Sequence, residues 1–148
     1  MSRMKGGAVL AAAWLLASCA GSLPGPAGSG LTPCSEWPNC VSSDARDAVH
    51  AIAPLRLAVP PEQAWPAVRE AVAQLPGTTI VSDSGTLLRA ESRSSTFGFI
   101  DDLELQLRPA QQAIAVRSAS RVGLNDLGAN ARRVEALRAA LQAQGIVR

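Results

Sequence analysis

The sequence predicts an α+β domain, an antiparallel sheet of four to five strands with two helices packed on one face. Four strand-like segments follow one another with only short turn signals between them. Segments joined by loops this short pair as antiparallel neighbours. An apolar stripe at helical spacing stands before these segments and another stands after them, which gives the order β-α-β-β-β-β-α. The chain of 148 residues is long enough for one such domain.

The first strand and the first helix are predicted in residues 49–75. Apolar residues recur through 49–59 and indicate a strand, and Pro60-Pro61-Glu62 then begins a helix. The helix has an apolar stripe at spacings of three, four and three residues, formed by Trp65, Val68, Val72 and Leu75. Pro76-Gly77 ends it.

Four strands and a second helix complete the predicted domain. The strands are predicted at 79–82, 87–93, 101–107 and 113–120. Asp83-Ser84-Gly85 and Arg108-Pro109-Ala110 are the clearest turns between them. Residues 125–128 open the last helix, whose apolar face is Val134, Leu137 and Leu141. Gly145 is its expected C-terminal cap.

Residues 1–18 indicate a signal peptide. Arg3 and Lys5 precede an apolar run at 8–17, which is far shorter than the roughly 20 residues of a spanning helix. Residues 19–32 are rich in Gly, Ser and Pro and predict a flexible tether. The folded domain is expected at 33–148.

The end of the apolar run, Leu16-Ala17-Ser18-Cys19, resembles the lipobox of bacterial lipoproteins. The resemblance implies that Cys19 is acylated (palmitate is one such chain) and becomes the mature N-terminus, which anchors the protein in a membrane. Ala20 stands where aspartate retains such proteins in the inner membrane, so the resemblance implies the outer membrane, facing the periplasm. The alternative is an ordinary cleaved signal peptide in which Cys19 is incidental.

The charge distribution excludes a nucleic-acid partner. Arg3 and Lys5 account for the formal net charge of +2, so the rest of the chain is neutral and offers no basic face for phosphates. We expect no metal or other cofactor, because His50 is the only histidine and no glycine-rich phosphate loop is present.

Cys34 and Cys40 are candidates for a disulfide, because the predicted signal peptide implies export. An oxidising compartment favours a disulfide between two cysteines so close in sequence. Two free thiols and a metal site are the alternatives, although five intervening residues are not a zinc spacing.

Strand alternation predicts a charged face opposite the helices. Residues such as Leu88, Leu103 and Val116 point to the core, and the residues between them point away. Those residues are Arg89, Glu91, Arg93, Asp102, Glu104, Gln106 and Arg117, with Arg121 beyond the strand end. Three interpretations remain open: a solvated lattice of ion pairs, a site where arginines bind an anionic or sugar-like ligand, or a protein-binding surface.

Five blocks of the sequence, in order, resemble the family called domain of unknown function 1499. They are Pro-Cys-Ser-Glu-Trp-Pro-Asn-Cys-Val-Ser-Ser at 33–43, Ile-Ala-Pro-Leu at 52–55, Phe-Gly-Phe-Ile-Asp-Asp-Leu-Glu at 97–104, Arg-Ser-Ala-Ser-Arg-Val-Gly at 117–123, and Asp-Leu-Gly-Ala-Asn at 126–130 with Arg-Val-Glu at 133–135. The resemblance implies an exported or membrane-associated protein and supplies no reaction. By analogy alone, the predicted order of elements is similar to small helix-grip modules.

The blocks and the charged face together define a candidate ligand-binding set. Its members are Arg93, Ser94, Asp101, Asp102, Glu104, Arg117, Arg121, Asn130 and Arg133. We expect an envelope-anchored lipoprotein that binds a small anionic ligand or an envelope protein through these residues, with no catalytic group assigned. The alternatives are a small hydrolase using an Asp/Glu carboxylate pair and a purely structural envelope protein.

Overall fold

The computed structural model describes residues 30–148. Cys19, the predicted signal peptide and most of the predicted tether lie outside the described residues. The elements are β1 (Cys40–Ser42), β2 (Leu55–Arg56), α1 (Pro61–Ala73), β3 (Thr78–Asp83), β4 (Leu87–Arg93), β5 (Ile100–Arg108), a short 3-10 helix (Pro109–Gln111), β6 (Ala113–Ser120) and α2 (Ala129–Ala143).

The six strands form one antiparallel sheet in the order β1-β6-β5-β4-β3, and β2 also pairs with β6. This confirms the predicted α+β class and the antiparallel run of four strands. The predicted strand at 49–59 contains β2, which is only two residues long and begins directly after Pro54. β1 is not among the predicted strands, because its three residues are too few to show a period.

Both helices pack on the same face of the sheet and enclose the core. The sheet contributes Leu88, Ala90, Leu103, Leu105, Ile114 and Val116, and the helices contribute Trp65, Val68, Val72, Val134, Leu137 and Leu141. Gly145 caps α2 as predicted, with a φ of 71° that glycine adopts without strain. Its N–H bonds the Gln142 carbonyl and the Ile146 N–H bonds the Leu141 carbonyl, which is a Schellman motif.

The other face of the sheet, which we call the outer face, is crossed by residues 30–39, the N-terminal segment. Thr32 donates two hydrogen bonds to the Glu104 carboxylate in the middle of β5, one from its N–H and one from its hydroxyl, both 2.8 Å long. Thr32 thus joins the N-terminal segment to the middle of the sheet. Within residues 30–148, no helix has the length and apolar character needed to cross a membrane.

Candidate functional site

The outer face carries charged side chains in two adjacent rows across the sheet. In one row, Arg117 on β6 lies opposite Glu104 on β5, which lies opposite Arg89 on β4. In the next row, Asp102 on β5 lies opposite Glu91 on β4. Side chains of alternate strand residues share a face, so these five project away from the helices together.

Glu104 and Arg117 form the centre of this arrangement. Their side chains make an ion pair of 3.3 Å between Arg117 Nη1 and Glu104 Oε1. Glu104 is 5% exposed and Arg117 is 9% exposed. The interpretation of the face as a fully solvated lattice is therefore wrong at its centre, where both charges are buried.

Arg117 also keeps one unused donor. Its Nε is buried and has no hydrogen-bond partner among the described residues. Buried polar groups nearly always have a partner, so an unpaired N–H beside a buried ion pair is unusual.

Arg121 lies at the rim of the same face and is exposed. Its guanidinium binds both carboxylate oxygens of Asp102 and also pairs with Glu91. The hydrogen bonds that Arg121 donates to Asp102 first, and then to Glu91, raise the pKa of Arg121 further above its ordinary value. The Arg121 cation is thus held in one position by two acids.

Between the N-terminal segment and the ends of β5 and β6 lies a cleft of about 470 Å³. We call it the Arg117 cleft. Its walls include Ser35, Trp37, Asp102, Arg117, Arg121 and Leu124. Three charged groups and one half-exposed indole ring therefore line the same small space.

The wall that carries Trp37 is fixed at three points. A disulfide joins Cys34 to Cys40, as predicted, with the two Cα atoms 5.7 Å apart. Asn39 Nδ2 donates to the Gly123 carbonyl, and His50 Nε2 lies 3.0 Å from the Trp37 carbonyl. These contacts hold the loop against β6 and against the loop after it.

Three members of the predicted set lie on the opposite side of the sheet. Asp101 projects from β5 toward α2, and Asn130 and Arg133 belong to α2 itself. None of the three faces the Arg117 cleft. Arg133 pairs with Asp101 at 2.7 Å and donates to the side chains of Ser118 and Asn130. Asn130 is completely buried. The placement of these three residues on the polar face is therefore corrected: they join α2 to the sheet.

Two further members lie at the turn between β4 and β5. Arg93 donates to the Gly98 carbonyl, and the Ser94 hydroxyl accepts the Phe99 N–H. Both line a second cleft of about 930 Å³ against Gly77 and its neighbours. The predicted set is thus divided among the Arg117 cleft, this turn and the helix side.

The carboxylates of the set are all bound to arginine. Asp101 pairs with Arg133, Asp102 with Arg121, and Glu104 with Arg117. Each of these carboxylates already accepts hydrogen bonds from a guanidinium, an arrangement that suits structure better than general-acid chemistry. Within residues 30–148, no three His, Cys, Asp or Glu side chains are grouped to hold a metal ion.

Residues 30–141 match the family described as protein of unknown function (DUF1499). The chain belongs to this family. The DUF1499 match begins at Gly30 and includes the N-terminal segment and all walls of the Arg117 cleft. No curated protein matches the chain significantly.

Several residues of the N-terminal segment that contact the outer face or line the Arg117 cleft are missing from the predicted set. Thr32 was assigned to the tether, and Trp37 and Asn39 to the disulfide loop. Thr32 and Asn39 form hydrogen bonds with residues more than 70 positions away in sequence. A single sequence carries no signal for contacts of this range.

Proposed function

We propose that this protein is a lipid-anchored binding protein of the bacterial cell envelope that takes a small anionic ligand in the Arg117 cleft. Cys19 would carry the lipid, as the lipobox-like sequence before it indicates. The absence of aspartate after Cys19 favours the outer membrane, with the domain facing the periplasm. Two or more acyl chains hold a protein stably on a membrane, whereas one chain does not.

The observation that carries the binding proposal is the Arg117 cleft, which brings Arg117, with its unpaired Nε, together with Arg121 and Trp37. A carboxylate or phosphate oxygen is the partner that a guanidinium N–H prefers, so an anion in the cleft would complete the hydrogen bonding of Arg117. Trp37 offers an apolar ring face to the remainder of the ligand. We therefore expect an anion attached to a sugar or ring in preference to a bare ion.

A purely structural role would leave that donor without an explanation. The ion pairs of the outer face would join strands equally well with every arginine nitrogen satisfied. The hydrolase alternative has no free carboxylate to support it, since Asp101, Asp102 and Glu104 are each paired with an arginine.

Arg117→Lys tests the binding site. Lysine keeps the positive charge beside Glu104 and removes the Nε donor, so folding should survive while anion binding weakens. We would measure thermal shifts with inorganic phosphate, sugar phosphates and dicarboxylates. A ligand at 100 times its Kd stabilises the wild type by about 2.7 kcal/mol. Arg133→Lys, on the helix side, is the matched control.

The expected result is a shift in the wild type and in Arg133→Lys that is reduced in Arg117→Lys. No shift with any of these anions, or equal shifts in all three proteins, would contradict the site. The anchor is tested separately by Cys19→Ser. This variant should fail to incorporate labelled palmitate in the bacterial host, and incorporation at the wild-type level would overturn acylation at Cys19.

A further inference from the structure

Large apolar side chains are exposed mainly at one end of the sheet, the end where β4 turns into β5. The described residues contain eight exposed large hydrophobic residues, and six of them lie at this end. They are Trp37, Phe97, Phe99, Val122, Leu124 and Leu127, which we call the apolar end. The two elsewhere are Val49 and Val81.

Sheet register brings these residues together. Asp101 at the start of β5 pairs with Ser120 at the end of β6, and the Arg121 N–H bonds the Ile100 carbonyl. The turn before β5 and the loop after β6 are therefore adjacent. The disulfide loop joins them, since the Ser120 N–H bonds the Asn39 carbonyl.

The apolar side chains project from turns that the structure holds in place. The rings of Phe97 and Phe99 stack on each other, with centroids 5.5 Å apart, and remain mostly exposed. Leu127 is 83% exposed and has a φ of 52°, which is unfavourable for a leucine. Asn125 Oδ1 accepts the Leu127 N–H and so supports this backbone shape. These side chains therefore project into solvent from turns and loops.

Arginines stand beside both apolar turns. Arg93 donates to the Gly98 carbonyl and Arg132 donates to the Leu127 carbonyl. Neither forms an ion pair with a carboxylate in residues 30–148, in contrast to Arg117, Arg121 and Arg133. Positive charge next to protruding rings and leucines matches the chemistry of a bilayer surface, where anionic headgroups lie above acyl chains.

We propose that the apolar end docks on the phospholipid surface to which the protein is tethered, with Phe97, Phe99 and Leu127 entering the interface. This inference rests on the proposed lipid anchor at Cys19. Residues 19–29 span at most roughly 40 Å when fully extended, which is enough for this end to reach the membrane. Docking would place the mouth of the Arg117 cleft, beside Arg121 and Leu124, next to the headgroups.

Hydrogen exchange on the processed protein tests this proposal. The protein is recovered from the bacterial envelope, and the mass of its N-terminal peptide first establishes acylation. It is then reconstituted in vesicles of phosphatidylethanolamine and phosphatidylglycerol. We compare the wild type with Phe97→Ser/Phe99→Ser/Leu127→Ser and with the control Val49→Ser/Val81→Ser. All five side chains are exposed, so the variants should fold.

The expected result is that amides of 94–99 and 122–128 exchange about tenfold more slowly in the wild type and the control than in the triple variant. Vesicles of phosphatidylcholine alone should give less protection, because they lack anionic headgroups. Equal exchange in all three acylated proteins would overturn docking and leave the anchor intact. Protection in native envelope fractions but not in lipid vesicles would also overturn it, in favour of a protein partner.

Discussion

Glu104 and Arg117 face each other across β5 and β6, and the N-terminal segment covers their ion pair. Thr32 donates to Glu104 from the side opposite the sheet, so the acid has three donor groups. A buried charge that loses its partner is costly, whereas a surface pair contributes little. The arrangement therefore makes Arg117 important for folding as well as for the proposed binding.

Arg117→Ala should lower the free energy of unfolding by about 3 kcal/mol. The loss stays at the lower end of the usual range because Thr32 continues to donate to Glu104. Urea denaturation measures it. The double variant Arg117→Ala/Glu104→Ala removes both charges and should be less destabilised than the sum of the two single variants. A loss below about 1 kcal/mol for Arg117→Ala would show that the pair behaves as a surface pair.

A second prediction concerns Asn130, the buried amide between α2 and the sheet. Its Oδ1 accepts from Ser118 and Arg133, and its Nδ2 donates to the Asn39 carbonyl, Ser120 and Asp126. Asn130→Ala leaves several of these groups unpaired and should cost about 3 kcal/mol in unfolding free energy.

Asn125 is exposed, and the variant Asn125→Ala is the control for Asn130→Ala. It removes one hydrogen bond to the Leu127 N–H at the surface, so its effect should be much smaller. If Asn130→Ala unfolds at the wild-type denaturant midpoint, the assignment of Asn130 to a structural network is wrong.

The Glu104–Arg117 pair could be predicted from the sequence to a greater extent than the network around Asn130. The period of two along a strand determines which residues share a face, so Glu104 and Arg117 were correctly assigned to the side away from the helices. The same period puts Asp101 with Leu103 on the core side. The five sequence blocks mark positions without regard to face, which is why Asp101, Asn130 and Arg133 entered the predicted set.

The contact of the N-terminal segment with the outer face could not be predicted for a different reason. Thr32 and Glu104 are 72 positions apart, and the Gly, Ser and Pro around Thr32 are typical of a tether. The register between β5 and β6 was also open, because strand alternation assigns a face to Glu104 and Arg117 without pairing them. The short 3-10 helix connects β5 to β6, so its backbone geometry determines that Glu104 lies opposite Arg117. That geometry cannot be read from the sequence.

A third prediction concerns the disulfide. Closing the short loop between Cys34 and Cys40 should stabilise the domain by about 2 kcal/mol on the chain-entropy estimate. Thermal denaturation with and without a reductant measures this difference. Cys34→Ser/Cys40→Ala should have the lower melting temperature of the reduced wild type and should not respond to reductant. A wild type that melts at the same temperature in both conditions would contradict the prediction.

The last prediction is a pH dependence that originates at His50, the only histidine of the chain. Its Nδ1 lies 2.8 Å from Asp47 Oδ1 and its Nε2 lies 3.0 Å from the Trp37 carbonyl, and both partners are acceptors. Only the doubly protonated ring donates to both. The bond to the Trp37 carbonyl, and then the contact with Asp47, raise the pKa of His50 above its ordinary value of 6.5, against the effect of burial.

Because the folded-state pKa of His50 is raised, its contribution to stability is complete below pH 6.5 and is lost as pH rises through the folded-state value. Asp47 acts at the other extreme. Hydrogen bonds from His50, first from its backbone N–H, lower the pKa of Asp47 below 3.8, so that contribution is lost only in acid. Stability should therefore be greatest between these limits and should decline on the alkaline side of pH 6.5.

Denaturant midpoints measured from about pH 5.5 to 8.5 test the His50 effect. The wild type should lose stability across this range, and His50→Gln should have a flat profile because glutamine does not titrate. Hydrogen exchange gives a local control: amides around Trp37 should lose protection at the alkaline end, since the neutral ring can no longer donate to both partners. If His50→Gln keeps the wild-type slope, another group causes the pH dependence and His50 does not hold the wall of the Arg117 cleft through its charge.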